Sequence, residues 1–265
     1  MPTTKVGSQI LYYDDFGAGH PLILIIGLGA NRLGWWKQIE PFSRRFRVIN
    51  LDNRDGGDSG LATAPYTIAD MADDVAELIS NLNLGRSHVV AVSMGGEIAQ
   101  ELAIRHPMLV DKLVVAATTA GGPTYVSGKP ETMALLTQTD GDGEARARRL
   151  YTAVAAEGYM AAHPEDLDQI VKFSLSKPMS LESYQRQLCA VLGHHQKGTA
   201  DRLSQIIAPT LVIHGEDDPL MPYSNGQFLA EHIKGARLST FGGTGHLVMI
   251  ESPERFNSEV IDFLG

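Results

Sequence analysis

The chain has 265 residues, a formal net charge of −9 at pH 7 and a single cysteine, Cys189. This length suits one large α/β domain that carries an insertion. The acidic charge disfavours binding to nucleic acids or to anionic membrane surfaces, because both require clustered Lys and Arg side chains. A lone cysteine cannot form an intrachain disulfide, and such cysteine usage is typical of a reducing compartment.

Hydropathy indicates no association with membranes. No segment contains the run of about 18 apolar residues that a membrane-spanning helix requires. Residues 1–9 are polar and lack the apolar centre of a secretion signal. We therefore expect a cytoplasmic location.

Predicted strands and helices alternate along most of the chain. Residues 10–15 follow a turn at Gly7 and predict one arm of an N-terminal antiparallel hairpin. Runs rich in apolar residues, with the length of buried strands, occur at residues 22–26, 46–51, 88–92, 113–117, 210–214 and 236–241. Short connections between strands and helices indicate a mostly parallel sheet, in which an active site lies at the carboxyl ends of the strands.

Two polar patterns between these strands have structural interpretations. Thr67 and Asp70 predict a capping box at the start of a helix. Asp52 and Arg54 follow the second buried strand. We interpret them as a structural ion pair that stabilises the turn, because charged side chains in loops beside strand ends usually stabilise those loops.

The alternation of strands and helices stops at Gly121. Residues 122–204 contain no convincing buried strand, and their patterns are helical. We therefore predict a helical cap over residues 122–204, inserted into a core of residues 1–121 and 205–265. Some large side chains of this cap are candidates either for lining a substrate cavity or for the core of the cap itself: Met133, Tyr151, Tyr159, Met160, Phe173, Met179 and Tyr184.

We expect neither a metal nor a cofactor. The Gly27-Leu28-Gly29 loop lacks the glycine spacing of a dinucleotide-binding fingerprint. The adjacent His194 and His195 cannot share one helix face as a metal-binding pair, so positions at the surface or at a pocket rim are expected.

Ser93 lies where the predicted strand at 88–92 passes into a predicted helix. The local sequence from Val89 reads Val-Val-Ala-Val-Ser-Met-Gly-Gly. Such a junction requires a sharp turn, at which a β-carbon on Gly95 would collide with the closely approaching backbone. Ser93 would then stand at the carboxyl end of the strand, beside the free N–H groups of a helix start.

This stretch resembles the nucleophile elbow of α/β-hydrolases, Gly-x-Ser-x-Gly, with Ala91 in place of the first glycine. The loop at 27–29 is similar to the His-Gly-x-Gly loop of that family, with Ile26 in place of the histidine. The resemblance implies that the backbone N–H groups of Leu28 and Met94 form an oxyanion hole. The loop at 27–29 and the Asp-Asn-Arg-Asp loop at residues 52–55 are most similar to those of aclacinomycin methylesterase-like and enol-lactonase-like esterases.

The catalytic acid and histidine of the family also have counterparts. Asp218 follows Gly215 by three residues and precedes a proline-bounded turn, which matches the acid position of the family, and Asp217 is the alternative. His246 lies in a glycine-rich loop before a final predicted helix, as the catalytic histidine of the family does. Ser, Asp and His therefore follow in the chain order of α/β-hydrolases.

The resemblance implies an α/β-hydrolase fold, with a mostly parallel central sheet flanked by helices and an inserted helical cap. It also implies that His246 activates Ser93, that Asp218 orients His246, and that water clears an acyl-enzyme. The expected partner is a small-molecule ester or lactone. The expected substrate contacts are Trp35, Met160, Tyr184, Leu220 and Leu247.

Other activities are open at this point. Ser93 disfavours relatives with an aspartate nucleophile, but carbon–carbon bond hydrolases, thioesterases and cofactor-free perhydrolases also use serine. Ala91 and Ile26 depart from the family pattern. A ligand-binding protein that retains the triad but catalyses slowly is therefore a further hypothesis, as is a non-hydrolytic tailoring enzyme. The sequence indicates no particular oligomeric state.

Overall fold

A computed structural model describes residues 2–138 and 141–265. Within them, the central sheet has eight strands. The strands are β1 (Thr3–Val6), β2 (Gln9–Gly17), β3 (Pro21–Ile25), β4 (Arg47–Leu51), β5 (Ser87–Val92), β6 (Val110–Ala116), β7 (Thr210–Gly215) and β8 (Arg237–Phe241). Their spatial order is β1-β2-β4-β3-β5-β6-β7-β8.

The sheet is mostly parallel, as predicted. β1 and β2 form the predicted antiparallel hairpin, and β2 also pairs antiparallel with β4. All pairings from β4 to β8 are parallel. Ile23 in β3 pairs with Ile49 in β4 and with Val89 in β5, so β5, which ends directly before Ser93, lies in the middle of the sheet.

Helices cover both faces of the sheet and its carboxyl edge. They are α1 (Ile39–Ser43), α2 (Ile68–Asn81), α3 (Met94–Arg105), α4 (Pro130–Leu135), α5 (Gly143–Val154), α6 (Tyr159–Ala162), α7 (Pro164–Ser176), α8 (Leu181–Lys197), α9 (Tyr223–His232), α10 (Val248–Glu251) and α11 (Pro253–Leu264). Helices α4–α8, which we call the inserted helices, lie between β6 and β7 in the chain. In the described residues, no helix is both long and apolar enough to cross a bilayer.

The apolar run in β3 reflects burial on both faces of the sheet. Ile23 and Ile25 pack into one apolar cluster, with side chains of α2 and α3. Leu22 and Leu24 pack into a second cluster, with side chains of α11 and of the inserted helices. Since successive strand residues point to opposite faces, a strand covered on both sides must be apolar at every position.

Local capping and loop charges differ in how well the sequence predicts them. The capping box is confirmed, because the Asp70 N–H donates to Thr67 Oγ1 at 3.2 Å and the Thr67 N–H donates to Asp70 at 2.7 Å.

Asp52 and Arg54, however, do not pair with each other. Asp52 accepts hydrogen bonds from Arg32, and Arg54 donates to Asp74 at 2.6 Å. Each charge therefore braces its loop through a partner distant in sequence.

Ion pairs join the inserted helices to the rest of the chain. Arg186 in α8 binds both carboxylate oxygens of Asp55, at 2.8 and 2.9 Å. Lys177, at the end of α7, binds Asp58 at 2.5 Å. The side chain of Asp55 is fully buried, so its paired charge fixes α8 over the loop that follows β4.

His88 lies near the amino end of β5, away from Ser93. Its side chain is buried, and its ring packs against the rings of His20 at 4.2 Å and Phe46 at 5.8 Å between centroids. Burial lowers the pKa of His88 to about 4, because the imidazolium form would lose its hydration.

We predict that protonation of His88 destabilises the fold at acidic pH. The pKa of an unperturbed histidine is 6.5, whereas that of His88 in the folded protein is about 4, so the unfolded chain takes up the proton first as the pH falls. The contribution of His88 to the free energy of unfolding should fall by about 2 kcal/mol between pH 7 and pH 5. Urea denaturation should show a smaller loss over this range for His88→Leu. An equal loss in both proteins would contradict the burial of His88.

Candidate active site

Ser93 occupies the sharp turn between β5 and α3. Its backbone φ is +56°, in the left-handed region that non-glycine residues rarely adopt. The Ser93 N–H donates to the carbonyl of Ala116 at 3.0 Å, and the Thr118 hydroxyl donates to the Ser93 carbonyl at 2.8 Å. These bonds hold the strained turn, and Ser93 lines a cavity at the carboxyl edge of the sheet.

Close backbone packing explains the small residues around this turn. A β-carbon on Gly95 would lie 2.3 Å from the carbonyl oxygen of Ile25, as the sequence predicts. A β-carbon on Gly27 would lie 3.1 Å from Cβ of Ser93. Ala91, which replaces a family glycine, is fully buried within β5, so its methyl group fits the turn.

His246 and Asp218 form a buried pair at the same edge of the sheet. Nδ1 of His246 lies 2.8 Å from Oδ2 of Asp218. The N–H groups of Leu220 and Met221 both donate to Oδ1 of Asp218, at 2.8 Å each. These donors orient the carboxylate, which in turn sets the ring position of His246. Asp217, the alternative acid, is exposed.

Glu251, which the sequence did not single out, holds the loop that carries His246. Its carboxylate accepts hydrogen bonds from the N–H groups of Gly245 at 2.8 Å, Leu247 at 3.0 Å and Ala156 at 3.0 Å. Burial raises the pKa of Glu251, and these N–H donors oppose that rise. Since Ala156 follows α5, one carboxylate ties the histidine loop to the inserted helices.

The N–H groups of Leu28 and Met94 are available for a ligand. Within the described residues, neither N–H donates to another protein group.

Gln187 in α8 braces the loop between Gly27 and Gly29: its Oε1 accepts from the Gly29 N–H at 3.0 Å, and its Nε2 donates to the Arg54 carbonyl at 2.9 Å. Sequence reasoning missed Gln187, because nothing in its own helix marks it as a partner of this loop.

A cavity of about 480 Å³ separates these groups from the inserted helices. Ser93, His246 and the 27–29 loop form one side of it. The inserted helices and the connections between them supply an opposite wall that is mainly apolar: Met133, Leu136, Leu150, Tyr151, Phe173, Met179, Tyr184, Leu188 and Val191.

The predicted substrate contacts are only partly at this cavity. Tyr184, Leu220 and Leu247 line it. Trp35 does not, because its side chain is fully buried in the core, with its ring 6.4 Å from that of Phe256 between centroids. Met160 packs into the same apolar cluster as Trp35 and Phe256 and does not line the cavity. Neither residue is therefore positioned to touch a ligand in the cavity.

His20, His88 and Asp111 are the one group in the described residues whose donor atoms are close enough to hold a metal ion, all within 4.8 Å of one another. They lie at the amino ends of β3, β5 and β6, at the opposite edge of the sheet from Ser93. Asp111 also pairs with Arg86 at 3.6 Å. This group is therefore separate from the cavity.

Known proteins resemble this chain over almost its full length. Residues 20–253 match the family model of the alpha/beta hydrolase fold. RutD of Agrobacterium fabrum, a proposed carbamate hydrolase, is 31% identical over 246 residues, 92% of each chain. A 2-hydroxy-6-oxononadienedioate/2-hydroxy-6-oxononatrienedioate hydrolase of Burkholderia vietnamiensis is 31% identical over 96% of this chain and 90% of that protein. The enol-lactonase structure from Burkholderia xenovorans LB400 has a TM-score of 0.86, 28% identity and 99% coverage of both chains.

We predict that Gly95→Ala disrupts the turn at Ser93. Its methyl group would lie 2.3 Å from the Ile25 carbonyl oxygen, so α3 and β3 would have to separate. The free energy of unfolding in urea should fall by about 3 kcal/mol. Gly193→Ala is the control, because a β-carbon at that helical position has no neighbour within 4 Å in the part of the chain that the structure describes; alanine there should stabilise α8 by about 0.5–1 kcal/mol. Unchanged stability of Gly95→Ala would contradict the close packing.

Proposed function

Since the chain belongs to the alpha/beta hydrolase fold family, we propose that it is a serine hydrolase that cleaves a small carboxylic ester or lactone. The observation that carries this proposal is the convergence of three elements on one cavity. These elements are Ser93 in its strained turn, the buried pair of His246 and Asp218, and two N–H groups that have no acceptor among the described residues.

The proposed mechanism assigns a role to each group. His246 uses Nε2 to accept the proton of Ser93, since Nδ1 is engaged by Asp218. Asp218 holds the imidazole in this tautomer and stabilises the imidazolium. Ser93 attacks the carbonyl carbon, and the N–H groups of Leu28 and Met94 bind the oxygen that becomes negatively charged. His246 then donates this proton to the leaving oxygen as its bond to the carbonyl carbon breaks, and the alcohol leaves. The neutral His246 next accepts a proton from a water molecule that attacks the acyl-enzyme, and it returns that proton to the oxygen of Ser93 as the carboxylic acid is released.

The size and lining of the cavity support a small, largely apolar substrate. A volume of about 480 Å³ accommodates a short acyl chain or a lactone ring. Tyr184, Leu220 and Leu247 are the proposed contacts. Residues 122–204 act as the cap in this proposal, over a core formed by residues 1–121 and 205–265. The reaction needs no cofactor, and we propose a cytoplasmic location, which the single cysteine, typical of a reducing compartment, supports.

Charge in the cavity favours an ester or lactone over a dianionic substrate. The names of the relatives describe a lactone, a carbamate and a dienedioate. A dianion would face Glu97, whose side chain lines the cavity and is fully buried. Arg146 also lines the cavity, but its side chain is exposed, and water weakens the attraction between charges at an exposed position. Product analysis would separate ester hydrolysis from carbon–carbon bond cleavage.

Burst kinetics with p-nitrophenyl esters of increasing acyl length test the proposal. The native protein should release one equivalent of p-nitrophenol rapidly and gain the mass of one acyl group. Ser93→Ala should lose the burst, and its turnover should fall by at least about 10⁴-fold. Ser258→Ala, at an exposed position in α11, should keep the burst. Full turnover by Ser93→Ala would refute the mechanism.

We also predict that Gln187 acts on the chemical step by positioning the loop that contains Leu28. Gln187→Met keeps the side-chain length but removes both hydrogen bonds, so kcat should fall about tenfold while KM stays nearly constant. Gln196→Met is the matched control, because Gln196 is exposed in the same helix. An unchanged kcat in Gln187→Met would exclude this role.

A further inference from the structure

A second carboxylate and imidazole pair borders the cavity. Glu97 lies one helical turn after Ser93 in α3, and its side chain is fully buried. His195 in α8 is 8% exposed, and its Nε2 lies 2.8 Å from Oε1 of Glu97. Both residues line the cavity, and neither belongs to the proposed triad. The pair therefore joins the helix of the nucleophile to the opposite wall.

This pair differs from the structural ion pairs of the protein. One turn further along α3, Glu101 pairs with Arg202 through both carboxylate oxygens, at 2.6 and 3.0 Å. Glu97 has only one such bond, and its Oε2 is buried without a partner in the described residues. A buried carboxylate with a single partner is a costly arrangement if its only role is to stabilise the fold.

The arrangement fixes His195 and leaves one ring nitrogen available. Nε2 is engaged by Glu97, and one face of the ring stacks on Tyr125 with 4.1 Å between centroids. Nδ1 makes no hydrogen bond within the described residues, and it is not fully buried, so it reaches accessible space. An oriented imidazole with a free nitrogen can bind a hydroxyl, which both donates and accepts hydrogen bonds.

We propose that His195, held by Glu97, is a specificity subsite for a hydroxyl group on the substrate, remote from the scissile carbonyl. This inference rests on the proposed hydrolysis at Ser93, and it narrows the substrate to a hydroxylated ester or lactone. Ser93 and Glu97 are one helical turn apart, about 5 Å, so the hydroxyl lies several bonds from the carbonyl carbon. The remaining cavity wall binds the apolar part of the same molecule.

The test compares p-nitrophenyl hexanoate with p-nitrophenyl 6-hydroxyhexanoate, corrected for reaction without protein. The native protein should prefer the hydroxylated ester about tenfold in kcat/KM, as expected for one hydrogen bond to an oriented polar group. His195→Leu should bring the ratio of the two kcat/KM values close to one. His195→Asn, which can place a polar atom near the position of Nδ1, should restore part of the preference.

Variants at two glutamates show whether the effect acts through the orientation of His195. Glu97→Gln should reduce the preference, because it weakens the contact that holds the ring. Glu101→Gln is the matched control, since Glu101 lies in the same helix but does not line the cavity, and its ratio should equal that of the native protein. A native ratio near one, or an unchanged ratio in His195→Leu, would overturn the subsite.

A binding measurement separates this inference from the proposed function. Calorimetry with Ser93→Ala reports the affinity for both esters without hydrolysis. If the native protein turned over neither ester, the proposed hydrolysis would fail, and tighter binding of the hydroxylated ester would still support the subsite. Equal affinities would reject the subsite whatever the result for hydrolysis.

Discussion

The site depends on the left-handed backbone of Ser93, because this conformation brings a helix start against the carboxyl end of a neighbouring strand. Such a backbone is costly for a residue with a side chain, so the surroundings must hold it. Bonds to Ala116 and Thr118 do so, and the absence of a side chain on Gly95 lets α3 approach Ile25. The same approach brings the 27–29 loop into contact with Ser93.

The sequence predicts features that are encoded within a few residues or by periodicity. The mostly parallel sheet follows from apolar runs such as 22–26, and the steric role of Gly95 follows from the turn that contains it. Residues whose role depends on remote partners escape prediction where no family motif marks them. Asp52 bonds to Arg32, and Glu251 bonds to Ala156 across a sequence separation of 95. Nothing local to either side chain specifies these pairings.

Side-chain direction is a second limit of sequence reasoning. Trp35 and Met160 have the apolar character of substrate contacts, but the fold buries both in the core. Tyr184 has the same character and lines the cavity, beside Gly29. The difference lies in which face of each turn or helix meets the core. For Met160 and Tyr184 this depends on how the inserted helices pack against the sheet, and periodicity within the inserted segment does not determine that packing. Trp35 lies before β4, and its direction is set by the turn that contains it.

The inserted helices are connected to both loops that flank Ser93. Gln187 bonds to the 27–29 loop, and the N–H of Ala156 bonds to the carboxylate that organises the histidine loop. A chimera that exchanged residues 122–204 for those of a relative would thus alter more than the cavity wall. It would have to carry an amide at position 187 and a matching backbone near 156. The inserted segment is thus not an interchangeable module, because recombination within this fold would have to preserve these hydrogen bonds as well as the ion pairs of Arg186 and Lys177.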